Sequence, residues 1–119
     1  MQASIIAYIR AQFGVEPEYL WEQPSRNAVF RRADNRKWFA VLLPGLPRRT
    51  LRLPGEGTVD VLNLKCGPVL LGSLLDGRRY LPAYHMNKEH WVSVLLDGSV
   101  SMEELAPLID LSRQLTAKK

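Results

Sequence analysis

Residues 80–98 read Tyr-Leu-Pro-Ala-Tyr-His-Met-Asn-Lys-Glu-His-Trp-Val-Ser-Val-Leu-Leu-Asp-Gly. Both histidines of the chain, His85 and His90, stand in this stretch beside Asn87, Lys88 and Trp91. Trp91 to Leu96 has the apolar, β-branched composition of a central strand, and Asp97-Gly98 turns the chain after it. Asn87-Lys88-Glu89 reads as a turn, or a single helical turn, that starts this strand. His85 and Lys88 are expected at the surface and Trp91 in the core. Generic core or surface needs do not select this order of residue types.

Working outward, Ser101 and Glu104 form a capping-box pattern, with Val100 and Leu105 able to staple the entry to a C-terminal helix. Leu105, Leu108, Ile109, Ser112 and Leu115 fall on one face of that helix. Pro107 is expected to kink it, and Lys118 and Lys119 suit the negative end of its dipole. Upstream, Gly67-Pro68 starts a short helix through Asp76, with Pro68 where its missing donor is harmless. Val69, Leu70, Leu71, Leu74 and Leu75 predict that most of this helix is buried. Thr58 to Lys65 alternates as a strand. Asn27 to Arg32 and Arg36 to Leu43 read as a hairpin turned over Ala33-Asp34-Asn35. Pro44-Gly45 is expected to end that pair, and the Pro- and Gly-rich stretch to Gly57 to hold no long regular element. At the N-terminus, residues 4–13 predict an amphipathic helix with Ser4 as N-cap and Gly14 as its stop. An ordered loop pinned by Tyr19, Leu20 and Trp21 follows.

The block Pro82, His85, Asn87, Lys88, His90, Trp91, Asp97 and Gly98 resembles the signature of the MmcQ/YjbR-like family of small bacterial proteins. The likeness extends to Trp21 and Pro24, to Val29-Phe30 and Lys37-Trp38-Phe39-Ala40, to Leu64-Lys65, and to Leu108-Ile109-Asp110 with Ser112. Two departures stand out. Arg113 occupies the position where the family carries a tyrosine, and the Pro44–Gly57 loop is richer in Pro, Gly and Arg. The resemblance implies an α+β fold: a single compact domain over residues 1–119, an antiparallel sheet packed against N- and C-terminal helices, similar to frataxin/CyaY. It also implies a DNA-binding role.

Charge leads independently towards a polyanion. The net charge is +4, yet Arg26 to Arg52 holds eight basic residues against Asp34 alone, a net +7. Seven of the eight are arginine, whose planar donor fork suits phosphate oxygens and guanine edges. Arg31, Arg32, Arg36 and Lys37 flank the hairpin turn like a wing that tracks a phosphate backbone. Arg48, Arg49 and Arg52 are expected to face solvent in the loop beyond. The plain alternative is a solubilising basic face.

Other chemistries find less support. A spacing of five separates His85 and His90 by roughly 140° on a helix and puts them on opposite faces of a strand, so neither geometry makes a same-face metal pair. Cys66 lies 19 residues before His85 without a redox or protease motif, and reads as a small buried residue at a strand–helix junction. Gly55-Glu56-Gly57 lacks the strand-before, helix-after context of a phosphate loop. Frataxins use an acidic first helix, and residues 4–13 contain no acid, so iron handling is not expected. The lone cysteine fits a reducing cytoplasm, and the N-terminus lacks the pattern of a signal peptide. No apolar run approaches the roughly 18 residues of a membrane span.

The sequence therefore predicts a cytoplasmic, monomeric, non-enzymatic protein without metal or cofactor. Its expected partner is duplex DNA, held by Arg31, Arg32, Arg36, Lys37, Arg48, Arg49, Arg52, Lys65, His85, Asn87, Lys88 and His90. Tyr84-His85, beside Lys88, offers an aromatic able to stack on a base or sugar. Two alternatives remain: an adaptor whose basic face meets an acidic protein, and a small-ligand or enzymatic cleft lined by Lys65, His85, Asn87 and His90.

Overall fold

The computed structural model describes residues 1–19 and 27–117. Its centre is a six-stranded antiparallel sheet. In chain order the strands are β1 (Glu18–Tyr19), β2 (Ala28–Arg31), β3 (Trp38–Pro47), β4 (Thr58–Lys65), β5 (Tyr80–Pro82) and β6 (Trp91–Leu95). They lie side by side as β1-β2-β3-β4-β6-β5. The helices are α1 (Gln2–Phe13), α2 (Pro68–Leu74) and α3 (Met102–Leu115). The α+β architecture with terminal helices on a sheet is as the sequence predicts.

Strand alternation divides the interior in two. Leu62 and Leu64 of β4, Val92 and Val94 of β6, and Phe30 of β2 pack with Ile5 and Ile9 of α1 and Leu105 and Ile109 of α3. On the opposite face Val29, Val41, Val61 and Leu95 form a second cluster that no α-helix among the described residues covers. Leu51, Leu53, Tyr84 and Met86 from two loops close it instead. A bulge where β2 meets β3 sends both Phe39 and Ala40 to the helical side, and Phe13 meets Phe39 edge-on at 5.8 Å.

The capping box on α3 forms as predicted: Ser101 Oγ accepts from Glu104 N–H, and the Glu104 carboxylate accepts from Ser101 N–H. Val100 and Leu105 are both fully buried. The buried stripe of α3 runs Leu105, Ile109, Ser112 and on to Thr116, leaving the expected Leu115 exposed. Ser112 ties two strands together, since its Oγ donates to Phe39 C=O and accepts from Lys65 N–H.

Several expectations are corrected. α1 begins at Gln2 with Met1 as its cap, and Ser4 lies inside it. Pro44-Gly45 does not end β3: the pair sits in a bulge, Gly45 takes φ 69° and donates to Asp60, and pairing resumes at Leu46 with Val59. Proline is tolerated there because a bulge needs no ladder donor from it. The loop beyond contains a 3-10 turn, Arg48–Leu51, and buries Leu53. Helix α2 stops at Leu74 and buries only Leu71; Val69 is 88% exposed, because two turns can press a single stripe on the sheet. The edge strands β1 and β5 were not foreseen, and Tyr19 faces solvent. Leu20, Trp21, Pro24 and Arg26, and Lys118 and Lys119, lie outside the described residues.

Candidate nucleic-acid interface

Alternation on β2 sends Arg31 and Arg32 to opposite faces. Arg31 lies over the Trp38 ring, 5.8 Å from its centroid, on the helix-free side. Its Nε is 3.0 Å from Glu18, and the other carboxylate oxygen of Glu18 is 3.0 Å from Arg36. These two cations hold the Glu18 carboxyl below its usual range, with the Arg31 hydrogen bond as the largest cause. Arg32 corrects the expectation of an exposed cation. It is 7% exposed, chelates Asp34 through two guanidinium nitrogens, and donates to the C=O of Arg113 at the end of α3. Arg32 holds the Asp34 carboxyl down at about 2. Asn35 adds a bond to the Thr116 carbonyl. The hairpin turn thus supplies donors to carbonyls that a helix C-terminus leaves unpaired. Of the four hairpin cations only Lys37 is exposed and without an ion pair among the described residues.

The loop after β3 and the signature block meet on the helix-free face. Arg52 and Lys88, both exposed, line one cleft of about 400 Å³ with Thr50, Leu51, Leu81 and Tyr84. Arg49 lines a second cleft beside Gly55-Glu56-Gly57. Arg48 is half-buried and faces Asp97 at 3.9 Å. Lys65 ends β4 opposite Trp91, and the alternation that places Val61 and Asn63 on the helix-free face places Lys65 there too. Neither cleft is lined by Lys65 or His90.

Within the signature, Asn87 is structural: its Oδ1 accepts from Glu89 N–H, and its C=O accepts from Trp91 N–H. His90 is half-buried, and its C=O receives the N–H groups of Cys66 and Gly67. His85 is exposed at φ 61° with its ring 4.0 Å from that of Tyr84. Tyr84 is fixed from beneath, by Ser93 Oγ accepting from its N–H and Asn63 Nδ2 donating to its C=O. Asn63 and Ser93 are fully buried and bonded to each other. Trp91 is buried as expected.

Three non-glycine residues among those described adopt positive φ: Arg36, Arg52 and His85. Such conformations are uncommon and concentrate where function holds the backbone. Sequence reasoning missed Glu18 as the counter-charge of the hairpin, and Thr50, Leu51 and Arg52 as companions of the Tyr84–Lys88 pair it had singled out. Nothing in the linear order pairs Glu18 with a residue 13 positions later. Among the described residues, no group of three or more His, Cys, Asp or Glu is placed to hold a metal ion. Cys66 is buried, which pushes its thiol pKa up. No helix among the described residues is long and apolar enough to cross a membrane. Arg113, where the resemblance leads one to expect tyrosine, lies 4.6 Å over the Phe13 ring.

Comparison with known proteins gives a consistent set. A family model described as YjbR matches residues 10–115. The uncharacterized protein YyaQ of Bacillus subtilis is 38% identical over 112 residues, 94% of each chain. A crystal structure of a Pseudomonas syringae protein has a TM-score of 0.91 at 41% identity, covering 98% of this chain and 99% of that one. A Deinococcus radiodurans protein shares the fold, with a TM-score of 0.74 at 24% identity over 100% of this chain and 80% of its own.

Proposed function

The chain belongs to the YjbR family, and we propose that it binds nucleic acid without catalysis, meeting the phosphate backbone of duplex DNA with the helix-free side of its sheet. One observation carries this reading: Arg52 and Lys88, from separate loops, line the same cleft and have no ion pair among the described residues. Arg49, Lys37 and Lys65 add cations without an ion pair among the described residues. Arg31, Arg32 and Arg36 contribute less than their number suggests, because Glu18 is shared by Arg31 and Arg36 and Asp34 pairs with Arg32, which leaves one net positive charge among the three. Backbone contacts of this kind position a protein without reading sequence, so little sequence preference is expected. The titratable groups support binding over catalysis. Cys66 is buried, and Glu18 and Asp34 serve ion pairs. The sheet with terminal helices on one face fits the frataxin/CyaY-like arrangement, and a monomer in a reducing cytoplasm accords with the single buried thiol.

Titration of labelled duplex at two salt concentrations tests the reading. Binding in the micromolar range or weaker is expected, with a log–log salt slope of about −0.9 for each phosphate neutralised. No binding at about 50 mM salt, or a slope of zero, would end it.

A further inference from the structure

The cleft at Arg52 and Lys88 is built differently from a surface that only follows a phosphate chain. Its lining is part apolar, from Leu51 and Leu81, and part aromatic, from Tyr84, with the two cations and the Thr50 hydroxyl alongside. Its volume of about 400 Å³ falls within the range of small-ligand sites. A flat electrostatic contact needs neither concavity nor an apolar wall.

Two further observations show that the site is held in place. The Tyr84 main chain is clamped at both its N–H and its C=O by Ser93 and Asn63, two polar side chains fully buried in the sheet. Buried polar groups are retained where they are satisfied, and this pair uses its capacity to fix one loop residue. Arg52, in the cleft wall, and His85, its ring tilted against that of Tyr84, are both held at positive φ. Neither glycine nor asparagine occupies those positions, so the side chains are kept despite the strain.

Resting on the nucleic-acid reading, we infer that this cleft receives a single unpaired nucleotide of a strand, its base laid against Tyr84 and the aliphatic wall and its phosphate between Arg52 and Lys88. A paired base has both faces covered by its neighbours in the stack. Only an unpaired base can present a face to an aromatic side chain. The chemistry of an aromatic ring carrying a phosphate is shared by a free mononucleotide, but the further cations Arg49 and Lys65 favour a chain of phosphates over one.

The test compares a labelled oligo-dT strand, a duplex of equal length and free dTMP as competitor, all at the same salt. The strand is expected to bind about five- to tenfold more tightly than the duplex, the gain of one stacked base. Tyr84→Leu, which keeps an apolar side chain over the sheet, should remove that preference by lowering affinity for the strand towards that for the duplex. Tyr84→Phe should keep it. Arg52→Gly, compatible with the positive φ, should lower affinity for the strand and flatten its salt slope by about 0.7. Should Tyr84→Leu fail to fold, the wild-type comparison and Arg52→Gly decide alone. Salt-dependent binding with equal affinity for strand and duplex would overturn this inference and leave the broader reading standing. Absence of binding to every nucleic acid would overturn both. Competition by dTMP at the strand's own affinity would overturn the assignment to a strand.

Discussion

Arg32 donates a guanidinium hydrogen bond to the main-chain carbonyl of Arg113, joining the β2–β3 hairpin to the C-terminal turn of α3. A residue that reads as a free surface cation is therefore a bracket between sheet and helix. Removing it leaves a part-buried carbonyl with fewer donors and Asp34 without its partner. Arg32→Ala is expected to cost about 1–3 kcal/mol in thermal or urea melts. DNA affinity of the folded fraction should stay unchanged. Replacing all four hairpin cations together will thus destabilise the protein, and Arg32 is the reason.

Glu18 pairs with both Arg31 and Arg36, and on the proposed reading it competes there with phosphate. Glu18→Gln should free both arginines and strengthen duplex binding. The salt slope should steepen by about 0.9 for each arginine that then reaches a phosphate. Unchanged slope and affinity would place both side chains outside the interface.

The signature block divides by role. Lys88→Ala removes an exposed cation and should weaken DNA binding with little change in the thermal midpoint. Asn87→Ala removes the acceptor that closes the turn and should cost about 1 kcal/mol while sparing affinity in the folded fraction. Melts run beside titrations on the two variants separate these outcomes.

Trp91 and Ser112 test the core. Trp91→Ala should cost about 3–5 kcal/mol, a large share of the stability of a small domain. Ser112→Ala strips the hydroxyl that links Phe39 C=O with Lys65 N–H inside the protein, at about 1–3 kcal/mol. Both are read from denaturant midpoints.

The acid limb of stability should carry the Asp34 ion pair. Its carboxyl titrates at about 2 in the folded protein, held down first by the Arg32 hydrogen bond. In an unfolded chain an aspartate titrates at roughly 3.9. The pair therefore contributes fully above that unfolded value, and its contribution fades as pH falls towards 2. Asp34→Asn should flatten the stability profile across that window. A parallel loss in wild type and variant would show that other carboxylates dominate it.

Local chemistry was legible where a few neighbouring residues suffice to define it. Ser101 and Glu104 form their capping box within one helical turn, and Gly67-Pro68 starts α2 on the spot. The alternation in Thr58–Lys65 already assigns Lys65 a side of its strand. The candidate site was legible only as an inventory of cations. Which of them remain free depends on Glu18, brought to Arg31 and Arg36 by pairing of β1 with β2, and on the end of α3 arriving beneath Arg32. Edge strands as short as β1 and β5 leave too little periodicity to be read without their neighbours.

The sequence by itself determined the family and the α+β class, through the resemblance carried by residues 80–98, and the order of the main elements, which rests on spacing and capping among near neighbours. Tertiary structure alone decided that three of the four hairpin cations are held in ion pairs while Arg52 and Lys88 share a cleft with Tyr84. Charge neutralisation and concavity are relations between residues far apart in the chain. They come into being only when the sheet assembles.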